Sequence, residues 1–404
     1  MNVKEEPAEA FGARARDWLA ENVPEPLADP EPAAQIALAK RFQAELYDAG
    51  FAGITWPAEF GGQGLGAEHQ QAFNQEVVKH DLPNTVFVIG MGMCGPTIVD
   101  LGTPEQKSRY VRPLLRGEEI WCQLFSEPGA GSDVASLQAK AVRDGEHWVV
   151  SGQKVWTSGA QHADFGALLA RTNPDVPKHR GLTMFIVDMH APGVSVRPLR
   201  DMTGRAPFNE VYFDDVRIPA DAVLGSVDAG WLAAVTMLGH ERVSLGGSVR
   251  RRHDPLAYEN LADLARRTGR AGDPAVRAEL ATLYAEEKAL ELFNVRLGQE
   301  AEAGTTAGAR GSVAKLGGAE LMWHAVRVAG LIAGTRLAAW DEGDSAAEEL
   351  ALAINQTPAS SIAGGTNQIQ RGIIGERILG LPKEPQVDRD VPFRELRVGT
   401  QRQS

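Results

Sequence analysis

Between Met237 and Gly247 the sequence MLGHERVSLGG sets one carboxylate into the apolar pattern of a helix. Trp231, Ala234, Leu238, Glu241 and Leu245 recur at three- and four-residue spacing, so Glu241 lies on or beside the buried stripe. A carboxylate there is costly unless it is paired or put to use, and a partly desolvated carboxylate is a competent proton acceptor. Arg242 stands about 100° further round the helix, so spacing alone does not make it the partner. The alternative is a buried Glu–Arg structural network.

Three other stretches carry groups suited to a flat or anionic ligand. CQLFSEPGAGSD, Cys122 to Asp133, sets Ser126 before and Ser132 after a turn of Pro128, Gly129 and Gly131. Glycines let a backbone approach a ligand and hydroxyls bond its edges; a plain turn between strands is the other reading. GQKVWTSGA, Gly152 to Ala160, offers Trp156 to stack on a heteroaromatic ring, with Thr157 or Ser158 on its edge, although a strand tryptophan also suits a core. SSIAGGTNQIQ, from Ser360, bends at Gly364-Gly365 into a helix opened by Thr366, Asn367 and Gln368. Such a helix start suits a polar, anionic ligand, but the tip of its turn has no group that can move a proton. GGQGLG, Gly61 to Gly66, follows no strand and reads as a connection between helices, not a dinucleotide site. RRRHD, Arg250 to Asp254, reads as a solvated face, with a phosphate contact as the lesser alternative.

These groups need elements to hold them, and the pattern changes twice along the chain. Residues 1–119 are helical in pattern: TPEQKSRYVRPLLRG, for example, opens on a Thr103 cap with Pro104 at the first helical position. Residues 120–229 turn strand-like. AKAVRDGEHWVVSG reads as a hairpin about Asp144-Gly145, and GLTMFIVDM and EVYFDDVRIP are rich in β-branched and aromatic residues. Residues 230–404 return to helical period in segments long enough for a bundle, followed by a polar tail beyond Pro382 that reads as extended. The expected fold is mainly α with a central antiparallel β-barrel or sandwich.

The 404 residues allow two or three domains and a large core. A net charge of −12 argues against general nucleic-acid or anionic-membrane binding, while leaving room for a small anionic ligand at a local cluster of donors. Cys94 and Cys122 form no metal-ligand spacing and no disulfide framework. With a charged N-terminus and no membrane-length apolar run, a cytoplasmic protein without membrane insertion or metal is expected.

Together GITWPAEFGGQG, SEPGAGSD, GQKVWTS, HRGLTMFIVD and GGTNQIQRGIIGERILG, in this order and spacing, make the chain resemble the acyl-CoA dehydrogenase family over nearly its whole length. The resemblance implies an N-terminal helical domain, a middle β-domain, a C-terminal four-helix bundle and bound FAD. It places Gln123, Phe125, Ser126 and Gly131 at the isoalloxazine border and Ser132 near both cofactor and CoA. Trp156 would cover the ring, with Thr157 beside it and Ser158 in reach of N5, while Thr366, Asn367 and Gln368 would also contact FAD. Arg242, Gly364 and Gly365, with Ser132, fall on the substrate side.

Many members carry the catalytic glutamate just before the Gly-Thr pair, where this chain has Gly364. A branch that includes isovaleryl-CoA dehydrogenase-like and steroid side-chain enzymes carries it on the first long helix of the C-terminal domain, and GHERV matches that pattern at Glu241. The implied chemistry is loss of an α-proton to Glu241 with hydride transfer from the β-carbon to flavin N5, the Gly364 N–H and the ribityl 2′-hydroxyl holding the enolate oxygen. The product is a trans-2-enoyl-CoA, and an electron-transfer flavoprotein is the implied electron acceptor. This belongs to fatty acid or lipid metabolism.

ARRTGRAGD and RVAGLIAG depart from the family's Arg-x-x-Phe-Gly and Gln-x-x-Gly-Gly stretches, leaving Arg266 and Arg277 as replacement contacts to FAD. A homotetramer is expected, with an α2β2 assembly with a homologous subunit as the alternative. The missing side chain at Gly364 and the small or flexible IGMGMCGP segment, Ile89 to Pro96, suit a branched or bulky acyl group unless that segment is simply packed core. Competing functions are a flavin oxidase or monooxygenase on the same fold and an FAD-poor partner subunit.

Overall fold

The computed structural model describes the chain except residues 1–5, 26–30, 247–253, 303–307, 387 and 397–404, with backbone alone for 242–246, 301 and 302. It divides into two compact units. Residues 1–201, 205–240 and 385–404 make the first, and residues 202–204 and 241–384 the second. The fold is the expected one: helical N-terminal domain, central β-sheet domain, helical C-terminal domain.

The first unit begins with helices α1 (Ala8–Asn22), α2 (Pro32–Asp48), α3 (Ala67–Val77), α4 (Gly95–Leu101) and α5 (Pro104–Leu115). The start of α5 follows from its sequence. Thr103 Oγ1 accepts from Gln106 N at 3.2 Å while Gln106 Oε1 accepts from Thr103 N at 3.1 Å, a reciprocal cap with Pro104 behind it. The glycine-rich stretch after Phe60 is a packing device: a Cβ on Gly62 would stand 2.3 Å from the Trp56 carbonyl oxygen. The segment around Met91 forms a π-helical turn, Gly90–Cys94, in which Met93 and Cys94 are buried in the core. Burial pushes the Cys94 thiol up to about 12, which leaves it unreactive.

Eight strands follow: β1 (Trp121–Leu124), β2 (Lys140–Asp144), β3 (His147–Ser158), β4 (Phe165–Arg171), β5 (Leu182–Asp188), β6 (Val194–Leu199), β7 (Phe208–Pro219) and β8 (Val223–Leu224). They form one sheet in the order β6-β7-β3-β2-β4-β5-β8, with β1 paired to β4. Most pairs are antiparallel; β4 runs parallel to both β1 and β2. The β2–β3 hairpin closes with Asp144 opposite His147, so Gly145 and Glu146 form a two-residue loop and Gly145 takes φ 59°. The buried Gln106 side chain donates to the Asp221 and Val223 carbonyls, fastening α5 to the end of the sheet.

The tail is extended but anchored. Phe393 N donates to Val176 O, Arg394 N to Pro174 O, and the Arg171 guanidinium lies 3.7 Å from the Phe393 ring centroid. Lys178 joins Asp388 of the tail to Asp133 of the SEPGAGSD loop, at 2.7 and 2.8 Å.

Helix α6 (Gly230–Gly246) passes from the first unit to the second at Glu241. The second unit continues with α7 (Tyr258–Arg267), α8 (Pro274–Glu302), α9 (Gly311–Ala333), α10 (Ser345–Ser360) and α11 (Asn367–Arg377). Leu261, Leu283, Val328 and Ile332 lie at its core. No helix among the described residues is long and apolar enough to cross a membrane.

Buried His324 on α9 bonds Glu286 through Nδ1 at 2.6 Å and Glu279 through Nε2 at 2.8 Å, both partners on α8. With an acceptor at each nitrogen, the imidazolium is the form that satisfies both bonds. Burial alone would push His324 down, but the two carboxylates outweigh it and hold it above its ordinary 6.5. Its contribution to stability is therefore full below the unfolded value and lost as pH rises through the raised one. Thermal melts from roughly pH 6 to pH 9 should show the wild-type midpoint falling more steeply than that of His324→Gln; equal slopes would remove His324 from the pH dependence.

Candidate functional site

Strand β3 shifts register against β7 once between Val150 and Gly152 and slips again after Lys154, so that two residues, Val155 and Trp156, separate Lys154 from Thr157 on the paired ladder. Trp156 takes φ 60°, a left-handed conformation that costs a non-glycine residue about 1–3 kcal/mol. The bulge turns its indole outward, 55% exposed, while Thr157 is turned in and 2% exposed. Phe208 supports the indole edge-on, with ring centroids 5.6 Å apart. Ser158, half-buried, ends the strand.

Strand β1 supplies Gln123, and Phe125, Ser126 and the turn follow it. Glu127 and Ala130 exchange both backbone hydrogen bonds at 3.0 Å, which closes a tight turn through Pro128 and Gly129. Phe125 is buried, Ser126 half-buried, and Gly131 and Ser132 are exposed beyond the turn. A Cβ on Gly131 would meet nothing, so this glycine leaves open space in front of the loop. Val155 N donates to Ser126 O at 2.9 Å and ties the loop to the bulge.

Two buried polar atoms of this cluster have no partner among the described residues: Thr157 Oγ1 and Gln123 Nε2. Unpartnered groups at such burial are uncommon and call for a bonding partner. An exposed indole beside a hydroxyl and an amide that both lack partners fits a flat heteroaromatic ring with polar edges, which is what the isoalloxazine of FAD presents. A cavity of about 300 Å³ near Pro192, Gly193, Asp214, Asp215 and Arg217 contains none of these residues.

The second unit holds the remaining groups. Glu241 opens it on α6 at 8% exposure, continuing the buried stripe of Ala234 and Met237 from the first-unit part of that helix. The Arg242 side chain, Gly247 and Arg250 to His253 lie outside the described residues. Gly364 and Gly365 take φ 63° and 84°, which bends the chain from α10 into α11. Thr366 caps α11, its side chain accepting from Ile369 N at 3.2 Å. Gln370 Nε2 donates to Gly364 O at 2.7 Å and stiffens the turn. None of the described residues accepts from the Gly364 N–H. Gln368 is exposed; Asn367 is buried and accepts from Lys315 Nζ at 3.2 Å. Burial pushes Lys315 down, and the charge of Glu241 partly offsets this. Arg266 is exposed and pairs with Asp263 at 3.7 Å, and Arg277 is exposed on the first turn of α8.

Lys154 and Glu127 went unassigned from sequence although both lie inside the quoted motifs. The lysine is fully buried and its Nζ meets Glu127 Oε1 at 2.8 Å. Nothing local in GQKVWTS marks that lysine as buried.

Comparison with known proteins identifies the family. Residues 5–118, 122–216 and 228–379 match the family models for the N-terminal, middle and C-terminal domains of acyl-CoA dehydrogenase. The chain is 40% identical over 377 residues to acyl-CoA dehydrogenase FadE34 of Mycobacterium tuberculosis; the match covers 93% of this chain and 50% of that protein, so the chain spans about half its length. It is 38% identical over 385 residues to acyl-CoA dehydrogenase IpdE1 of the same organism, covering 93% of this chain and 98% of the relative. Among solved structures, the Tcur3481-Tcur3483 steroid ACAD superposes with a TM-score of 0.78 at 30% identity, over 95% of this chain and 100% of that one. The chain belongs to the acyl-CoA dehydrogenase family of flavoprotein oxidoreductases.

Proposed function

We propose that the chain is an FAD-dependent dehydrogenase that converts an acyl-CoA thioester to its trans-2-enoyl-CoA, with Glu241 as the base. The observation that carries this is a carboxylate 8% exposed in the apolar stripe of α6, in the same unit as a glycine turn that lacks a base of its own. An α-proton of a thioester is weakly acidic, so its removal needs a positioned base and a donor for the developing enolate oxygen. Glu241 accepts that proton. The Gly364 N–H donates to the thioester oxygen, a role that does not depend on a side chain at that position. FAD, when bound, supplies the two-electron acceptor for the β-hydride. Trp156 covers the ring, Thr157 and Gln123 bond its edge, and Thr366, Asn367 and Gln368 hold a further part of the cofactor.

The space left at Gly364 favours a branched or polycyclic acyl group, and the likeness to a steroid ACAD supports that choice. Met93 and Cys94 are packed core and add nothing to it. An electron-transfer flavoprotein as oxidant and a homotetramer complete the proposal, and native mass measurement separates that assembly from α2β2.

Anaerobic mixing of the FAD-loaded protein with linear, branched and polycyclic acyl-CoAs should bleach the oxidised flavin with one class, and Glu241→Gln should slow bleaching by about 10²–10⁴-fold. Bleaching that survives in the variant would assign the base elsewhere; none with any thioester, together with rapid reoxidation by air, would favour an oxidase. A second test uses the unpartnered hydroxyl. Thr157→Val should leave the melting temperature of the FAD-free protein unchanged or raised, since a buried hydroxyl without a partner costs about 1–3 kcal/mol, while weakening FAD retention. Lower stability with unaltered retention would make Thr157 a structural residue.

A further inference from the structure

We propose that Lys154 and Glu127 are positioning residues for the flavin, their buried ion pair holding the Phe125–Ser126 segment in register with the Trp156–Thr157 bulge. The inference rests on the FAD assignment above and adds residues that do not themselves touch the ring.

The geometry is specific. Lys154 Nζ donates to Glu127 Oε1 at 2.8 Å and to the Phe125 carbonyl at 3.0 Å. Glu127 in turn accepts from Ala139 N at 2.9 Å through Oε1 and from Gln138 N at 2.6 Å through Oε2. Between these bonds, Val155 N donates to Ser126 O. Phe125, Ser126 and Glu127 are thus fastened in sequence to Lys154 and Val155. The two unpartnered atoms, Gln123 Nε2 and Thr157 Oγ1, stand at the outer ends of the fastened segments. Across the loop, Arg171 donates to the Ala135 and Leu137 carbonyls and holds the returning strand.

Burying two charges is a poor route to stability, because desolvation offsets most of their attraction. A methionine and a leucine would fill the same space at no such cost. They would also leave the Phe125 carbonyl without its donor and the Gln138 and Ala139 N–H groups without their acceptor. What the ion pair adds over an apolar pair is therefore a defined spacing between two chain segments separated by 27 residues. Burial holds Lys154 below its ordinary value, and the Glu127 carboxylate offsets part of that.

The test compares purified holoprotein of wild type, Glu127→Gln and the double variant Lys154→Met/Glu127→Leu by FAD retention on dilution, the shape of the visible flavin band and the melting temperature. Glu127→Gln should retain FAD about tenfold less tightly, equivalent to roughly 1.4 kcal/mol, with a shifted band and a lower melting temperature. The double variant should likewise lose retention and shift the band, and its melting temperature should stay below wild type because the Phe125 carbonyl and the Gln138 and Ala139 N–H groups have lost their side-chain partners. Wild-type retention and band shape in the double variant would show that the pair only fills the core and would overturn the proposal. Should the double variant not fold, Glu127→Gln decides alone: an unchanged band and retention overturn it. A wild-type protein that neither carries nor takes up FAD is a separate result, which removes the cofactor assignment itself.

Discussion

Strand β3 meets two opposed demands within three residues: Lys154 must be buried and Trp156 exposed, with Thr157 buried again. Strict alternation would put Lys154 and Trp156 on one face. The register slip against β7 and the left-handed backbone at Trp156 resolve the conflict. The local strain persists because the surroundings over-determine it: the ladder to β7 from His147 to Lys154 precedes it, Asn209 bonds the Thr157 carbonyl behind it, and Val155 holds the Ser126 segment beside it. The orientations of Trp156 and Thr157, the β3 groups proposed to meet the ring, depend on where that slip falls.

The second unit solves a different problem with less covalent material. The turn before α11 takes its shape from Gly364 and Gly365, which both hold left-handed angles, and from Gln370, which braces the first of them from α11. In the proposed reaction the base is Glu241 on α6. Lys315 on α9 lies within the field of Glu241 and bonds Asn367 at the start of α11, so base helix and glycine turn share one cation.

Much of this was legible beforehand, for identifiable reasons. The Thr103 cap and the Glu241 stripe are local patterns: helix starts need side-chain acceptors, and helical faces repeat every three or four residues, so neighbours in sequence carry the information. The Gly364-Gly365 bend was likewise readable, since only glycine takes successive left-handed angles at little cost. The β2–β3 hairpin was placed within a residue. The polar tail, by contrast, was read as merely extended; its attachment through Phe393 and Asp388 depends on Arg171 and Lys178, some two hundred residues earlier. IGMGMCGP shows the opposite error of emphasis, because small and flexible residues suit a pocket and a tight core equally. A Cβ on Gly95 would stand 2.3 Å from the Trp56 indole, and that contact decided for the core.

By itself the sequence determined the order of helical, strand and helical regions, the family, and the short segments that carry polar groups toward a ligand. These follow from periodicity, turn chemistry and motif spacing, all of which act over a few residues. Only the tertiary structure decided that Trp156 faces outward, that Thr157 and Gln123 keep unpartnered atoms, and that Lys154 and Glu127 lock their segments together. Burial and partnership belong to pairs of residues far apart in the chain, and no local pattern encodes the distance between them.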